Sequence, residues 1–262
     1  MKLFDCHMHL ADERFIPDFD QMLARMAENH VCGGIVICDP GDLQPDHARA
    51  LEIVRAHPHL ALAAACHPQN ALHFSPAVQD TVLRLIRLPE CVCIGETGLD
   101  YYENASTRDQ QIEALNWHLD LAYEAEMPVQ LHVRNAHGDL LELLRDRKKR
   151  GCLPRGVMHC FTRSRDLARE YLRLGMYISV AGPVTFSNAH KLLDTVRDVP
   201  ADRLLIETDS PWVSPEPHRG MRGEPAYIAD TFRRIAEIRA GDPEALAEQI
   251  WQNAMAAFNL NW

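Results

Sequence analysis

Two imidazoles stand one residue apart near the start of the chain, in Asp5-Cys6-His7-Met8-His9-Leu10. If residues 2–10 form a strand, alternation puts His7 and His9 on one face with Asp5 one layer deeper, so both rings converge on one point. Imidazole is the commonest protein ligand for borderline transition metals, and convergence of this kind is a metal-ligand geometry. A lone His-x-His also occurs as two polar loop residues, so the reading depends on further ligands elsewhere.

Short apolar segments later in the chain end in His67, Glu96, His132, His159 and Asp209. Uncoordinated imidazoles and carboxylates gathered in one place are costly to desolvate, so a shared metal centre explains the set better than core packing does. His7, His9, His132 and His159 with Glu96 and Asp209 are too many donors for one tetrahedral ion and suit two. His7, His9 and Asp209 are expected on one ion and His132 and His159 on the other, with Glu96 bridging. Nitrogen-rich ligation favours Zn, Mn, Fe or Ni over Mg, which prefers oxygen. Paired divalent ions clamp the attacking and leaving oxygens of a phosphoryl displacement, and an open coordination position makes such a site catalytic. Asp5 and Glu207, each two residues before a ligand, are expected to accept from imidazole N–H groups or to act as buried charge partners.

Positioning these residues takes a regular scaffold. Strand-like runs at 2–10, 34–38, 60–66, 91–99, 128–133, 156–161, 176–180 and 204–208 alternate with helix-period segments. Helices are expected over 17–30, over 45–57, from an N-cap at Ser75 to Leu88, over 107–126, and before a stop at Gly151, with two final helices in 224–258. Eight strand–helix units without a Pro/Gly/Ser-rich linker predict one domain over 1–262, an α/β fold of the TIM (β/α)8 type. The polar residues then all fall at the carboxyl ends of strands, where such barrels keep their sites.

Composition fits a globular chain, with 47% hydrophobic and 24% charged residues. No apolar run reaches the roughly 18 residues of a membrane span, and an apolar signal-peptide core is missing, so no membrane association and a cytoplasmic location are expected. Eight cysteines scattered through apolar segments are expected as free thiols. A net charge of −10 argues against broad attraction to nucleic acid, though not against a local site built on cations. The run Arg145-Asp146-Arg147-Lys148-Lys149-Arg150 is read as a solvated face near a helix carboxyl end rather than a nucleic-acid patch.

The motif at 5–10 is joined by Ile94-Gly95-Glu96-Thr97-Gly98-Leu99-Asp100-Tyr101-Tyr102, Leu131-His132-Val133-Arg134, His159-Cys160-Phe161-Thr162 and Glu207-Thr208-Asp209-Ser210-Pro211. Pro217-His218-Arg219-Gly220-Met221-Arg222-Gly223-Glu224-Pro225 follows. In order and spacing, along essentially the whole chain, these resemble the TatD-like metal-dependent hydrolases. The resemblance implies a TIM barrel, a divalent metal site and hydrolase activity, in several members deoxyribonuclease and in part 3′-to-5′ exonuclease. It implies the same six ligands. The chain departs from the family pattern at Ala65 before Cys66-His67-Pro68, at Thr97 and at Gly223, none of which removes a ligand.

DNA or another phosphodiester is therefore the expected substrate, with water activated by the ions attacking phosphorus in line and Asp209 accepting its proton. His67 and Arg134 at strand ends, and His218 and Arg219 on the loop after the eighth strand, are expected to hold phosphate oxygens. Tyr101, Tyr102 and Phe161 are read as rim packing, with base stacking as the alternative. Two rival readings are an amidohydrolase-type enzyme acting on a small phosphoester, amide or lactone, and a non-catalytic metal-stabilised binding scaffold. Oligomeric state is not legible.

Overall fold

The structure, a computed structural model, describes residues 1–42, 46–103 and 105–262. Among the described residues, strands β1 (Leu3–Met8), β2 (Val31–Cys38), β3 (Leu60–Ala64), β4 (Cys91–Asp100), β5 (Val129–Arg134), β6 (Gly156–Met158), β7 (Tyr177–Val180) and β8 (Leu204–Ile206) form one sheet in sequence order. Every neighbouring pair is parallel. A bridge between Met8 and Ser210 brings the end of β8 back to β1 and rounds the sheet into a barrel. The expected (β/α)8 architecture is the one observed.

Helices α1 (Phe19–Glu28), α2 (Asp46–Ala56), α3 (Pro76–Leu85), α4 (Arg108–Glu124), α5 (His137–Arg150), α6 (Arg165–Leu174), α7 (His190–Asp198) and α8 (Ile228–Arg239) connect or flank the strands, and α9 (Pro243–Phe258) ends the fold. Their ends follow local chemistry. Thr107 and Gln110 form a reciprocal capping box at α4, and Gly151 in the left-handed region closes α5. Ser75 precedes α3 in an extended conformation but makes no side-chain cap bond, leaving Pro76 as the start signal. The helix expected over 17–30 is shorter, because a 3-10 turn at Glu13–Asp18 contains Pro17 and α1 begins only at Phe19. Pro45, expected to open α2, lies outside the described residues. Among the described residues, no helix is long and apolar enough to cross a membrane.

The apolar core forms two clusters. One joins Phe4, Ile35, Ile37, Ala63, Cys93, Val157 and Leu205 to Trp251 and Phe258 of α9, whose rings pack on Phe4. The larger one joins the opposite strand faces to the surrounding helices. All eight cysteines are free, with Cys38, Cys66, Cys91 and Cys93 among the buried ones.

Local irregularities sit where the polar residues emerge. From Asp5 to Met8, β1 takes three steps while β2 takes two, from Gly34 to Val36, and β4 likewise takes three from Ile94 to Thr97 against two on β5. An extra residue of this kind re-aims side chains, here across His7 and Glu96. Gly98 permits the β4–β5 approach: its φ is +153°, and a Cβ there would stand 1.9 Å from the His132 carbonyl oxygen. β6 and β8 are only three residues long, so His159 and Asp209 lie just beyond their strands. Asp209 (φ 56°), Cys160 (φ 43°) and Asn135 (φ 57°) hold left-handed backbone immediately after strand ends, a concentration of local strain at one mouth.

Candidate metal centre

Glu96 occupies the middle of the mouth and is 4% exposed. Its Oε2 lies 3.3 Å from His7 Nε2 and 3.8 Å from His9 Nε2. Its Oε1 lies 2.8 Å from His132 Nδ1 and 3.2 Å from His159 Nε2. Asp209 Oδ1 stands on the first side, 3.5 Å from His9 Nε2 and 3.7 Å from His7 Nε2. The two carboxylate oxygens thus face two different sets of donors. Strands β1, β4, β5, β6 and β8 bring all six residues to this one place.

Three of the four imidazoles, those of His7, His132 and His159, are oriented from behind. Gln130 Nε2 donates to the Cys6 carbonyl at 2.6 Å, which fixes its amide and turns Oε1 to His7 Nδ1 at 2.7 Å. His7 therefore carries its proton on Nδ1 and presents the Nε2 lone pair to the mouth. Glu207 Oε1 lies 2.8 Å from His159 Nδ1 and also accepts from the Cys160 N–H, while Ser179 Oγ donates to Oε2. Asp100 Oδ2 lies 3.1 Å from His132 Nε2 and accepts from Gln69 Nε2. Carboxylate or amide partners of this kind fix tautomer and ring orientation in metal sites.

The expectation that a carboxylate accepts from an imidazole agrees with Glu207, whereas Asp5 follows the other reading, a buried carboxylate with no imidazole partner. Asp5 accepts from the Thr208 backbone N–H, the Thr208 hydroxyl and the His7 backbone N–H, and so ties the end of β8 to β1 instead of orienting an imidazole. The extra residue in β1 interrupts the alternation on which the Asp5 reading rested. Gln130 and Asp100 were the partners that sequence reasoning missed. Gln130 had a signal: a lone amide inside the apolar strand Val129–Arg134, two residues before His132.

Electrostatics point to a cation. Burial and the neighbouring His159 lower the His7 pKa, keeping it neutral. Burial opposes charge on His159 as well, but Glu207, Glu96 and Asp209 together hold its pKa well above the usual imidazole range. On His132 burial is likewise outweighed by Asp100 and Glu96, which push its pKa up to about 9. Burial of Glu96 is overcome by His159, His67 and His7, which keep it ionised. The His7 lone pair faces His9 Nε2 at 3.1 Å and two carboxylate oxygens. The lone pair and the two carboxylate oxygens are acceptors that favour a positive charge between them. Potential ligand atoms of His7, His9 and Glu96, of His7, His159 and Asp209, and of His67, Glu96 and His132 lie within 4.8 Å of one another in each group. The donor set fits divalent cations with a taste for nitrogen.

The remaining expected site residues separate. His67 is at the mouth, with Nε2 3.5 Å from Glu96 Oε1, and its Nδ1 accepts the Gln69 N–H at 3.2 Å. Arg134 is at the rim, paired with Glu103 at 2.7 Å and stacked on Tyr102. His218 stacks on Tyr227 and faces Asp230 at 3.3 Å, and Arg219 lies over the Phe186 ring with Glu216 3.7 Å away. These three side chains are engaged outside the Glu96 cluster. Tyr101 donates to Asp139 and Phe161 is buried, as rim packing requires. In the basic run, Arg145 pairs with Glu170, Arg150 with Asp146, and buried Arg147 with Asp120 and Asn116.

A family model described as TatD related DNase matches residues 4–259. The chain is 37% identical to the uncharacterized metal-dependent hydrolase YcfH of Escherichia coli K12, over 100% of this chain and 97% of that protein. It is 34% identical to the 3′-5′ ssDNA/RNA exonuclease TatD of Salmonella typhimurium, over 98% and 99%. The crystal structure of YJJV, a TatD homolog from Escherichia coli K12, superposes with a TM-score of 0.87 at 27% identity, covering 99% of this chain and 98% of that one. Matches of this extent, on a barrel with this cluster at its mouth, make the chain a metal-dependent hydrolase of the TatD related DNase family.

Proposed function

We propose that the protein is an exonuclease that shortens single-stranded nucleic acid from its 3′ end with two divalent cations. His7, His9 and Asp209 would hold one and His132 and His159 the other, with Glu96 shared. The observation that carries this reading is the division of the two Glu96 oxygens between His7 and His9 on one side and His132, His159 and His67 on the other. The name of the Salmonella relative supports the substrate and the polarity. Bound cations supply Lewis acidity, lowering the pKa of an attacking water and clamping both oxygens of an in-line displacement.

The chain's own groups do the rest. Asp209 is 14% exposed, next to His9, and takes the proton of the attacking water at Oδ2, leaving Oδ1, the oxygen that faces His7 and His9, to the cation. His67 accepts at Nδ1, so its neutral ring carries the proton on Nε2 and donates to a phosphate oxygen instead of ligating. Gln130, Glu207 and Asp100 hold the imidazoles still through the reaction. His9 is 26% exposed, so the mouth admits a reactant, which supports catalysis over a sealed structural site. Lys2, Lys148, Lys149 and Lys191 all lie outside the strands and Glu96 stands on β4, which disfavours an amidohydrolase-type centre bridged by a modified lysine.

The test is incubation of purified protein with 3′- and 5′-labelled single-stranded DNA and Mg²⁺, Mn²⁺ or Zn²⁺, beside Glu96→Ala, His132→Ala and chelated samples. Laddering from the 3′ end that vanishes in all three controls is expected. No cleavage by protein shown to contain metal would overturn the substrate assignment.

A further inference from the structure

Two arginine-backed aromatic rings stand exposed on the rim of the mouth. Trp212 is 49% exposed, with the Arg14 guanidinium 3.7 Å from its ring centroid. Tyr102 is 55% exposed, with the Arg134 guanidinium also 3.7 Å from its ring. Trp212 follows β8 and Arg14 follows β1, while Tyr102 follows β4 and Arg134 ends β5. In a closed barrel with strands in sequence order, the β8/β1 and β4/β5 seams are diametrically opposed. The Glu96 cluster lies between them.

Both platforms are fixed in register with that cluster. The Trp212 N–H donates to the Asp209 carbonyl at 2.8 Å, and Asp12, whose N–H donates to the His9 carbonyl, holds Arg14 through two bonds of 2.8 and 2.7 Å. On the other side the Tyr102 N–H donates to Asp100, the carboxylate that faces His132, and Arg134 is held by Glu103 at 2.7 Å. Each guanidinium is paired with a carboxylate and sits over a ring. Such a unit offers a π-face rather than a net charge, in a chain of net charge −10.

Resting on the proposed nuclease activity, we infer that Trp212 and Tyr102 stack the two bases that flank the scissile phosphate, one on each side of the metal centre. The substrate is thereby a single strand with unpaired bases, since paired bases have no free face to offer. Recognition is independent of base identity, and its salt dependence is shallow because few phosphate charges are neutralised at the rim.

The experiment uses metal-loaded protein and a short single-stranded oligonucleotide with phosphorothioate linkages at its 3′ end, with binding read by fluorescence anisotropy. Trp212→Ala and Tyr102→Ala should each weaken binding about tenfold, and Trp212→Phe and Tyr102→Phe should restore most of it. A strand abasic at its two 3′-terminal positions should bind the wild type about as weakly as the normal strand binds the double variant, and should be indifferent to either substitution. Melting temperature and metal content verify that the variants are folded and loaded. Equal binding of normal and abasic strands by the wild type would overturn the inference whatever the variants do. Cleavage of the unmodified strand, followed separately, distinguishes that failure from failure of the nuclease reading itself.

Discussion

Gln130 on β5 reaches across the barrel to His7 on β1, with its Oε1 2.7 Å from His7 Nδ1 and its Nε2 bound to the Cys6 carbonyl at 2.6 Å. One amide thus sets the tautomer of His7, on a strand it does not adjoin. Gln130→Leu keeps the volume but leaves Nδ1–H and a buried carbonyl unpaired. It should lower divalent-metal affinity by about 10- to 100-fold, measured by competition with a chromophoric chelator. Unchanged affinity would mean that His7 is held by packing alone.

Gly98 is where β4 and β5 come closest. Because an added Cβ would meet the His132 carbonyl oxygen at 1.9 Å in a backbone of φ +153°, Gly98→Ala should cost about 3–5 kcal/mol in urea unfolding. Whatever folds should have lost metal, since the clash displaces His132 itself. A cost below about 1 kcal/mol would contradict the close approach.

The loop 211–224 is tied to α1 by Arg25, Arg222, Asp18 and Glu224. Arg25 binds Glu224 and Asp18 at 2.7 Å each, and Arg222 binds Asp18 at 2.6 Å. Hydrogen bonds from Arg222 and Arg25 hold the Asp18 carboxyl well below its usual range, and in Glu224 the same two partners outweigh the opposing effect of burial. Folded pKa values below the unfolded ones give stability that is present above the ordinary carboxylate range and lost as pH falls through the folded values. Arg25→Met should cost about 1 kcal/mol at neutral pH, the pairs being partly screened by solvent. Its melting temperature should converge on that of the wild type on acidification, and a pH-independent difference would contradict the ion-pair account.

The six residues of the cluster were legible because a strand end is a recognisable place: an apolar run stops, and a His, Glu or Asp follows. What stands behind them was not, because support crosses the lumen. Glu207, just after β8, serves His159 after β6 and Gln130 of β5 serves His7 of β1, pairings that strand spacing does not encode. The rule that a polar residue two positions before a ligand faces an imidazole succeeded for Glu207. It failed for Asp5, where an extra residue in β1 breaks the alternation and Thr208 takes both oxygens. Strand limits were blurred for a similar reason. Residues 156–161 and 204–208 read as strands, but the ladder has already ended at Met158 and Ile206, before His159 and Asp209. Arg134, His218 and Arg219 have the right chemistry for phosphate, but local partners in Tyr102, Tyr227 and Phe186 claim them, and such stacking depends on loop paths that residue type does not reveal.

The central claim is that Glu96 stands between two cations. Crystals soaked in Mn²⁺ and measured for anomalous scattering test it directly. Two peaks are predicted, one among His7, His9 and Asp209 and one among His132 and His159, each within bonding distance of a Glu96 oxygen. A single peak, or two that leave Glu96 uncoordinated, would contradict the account.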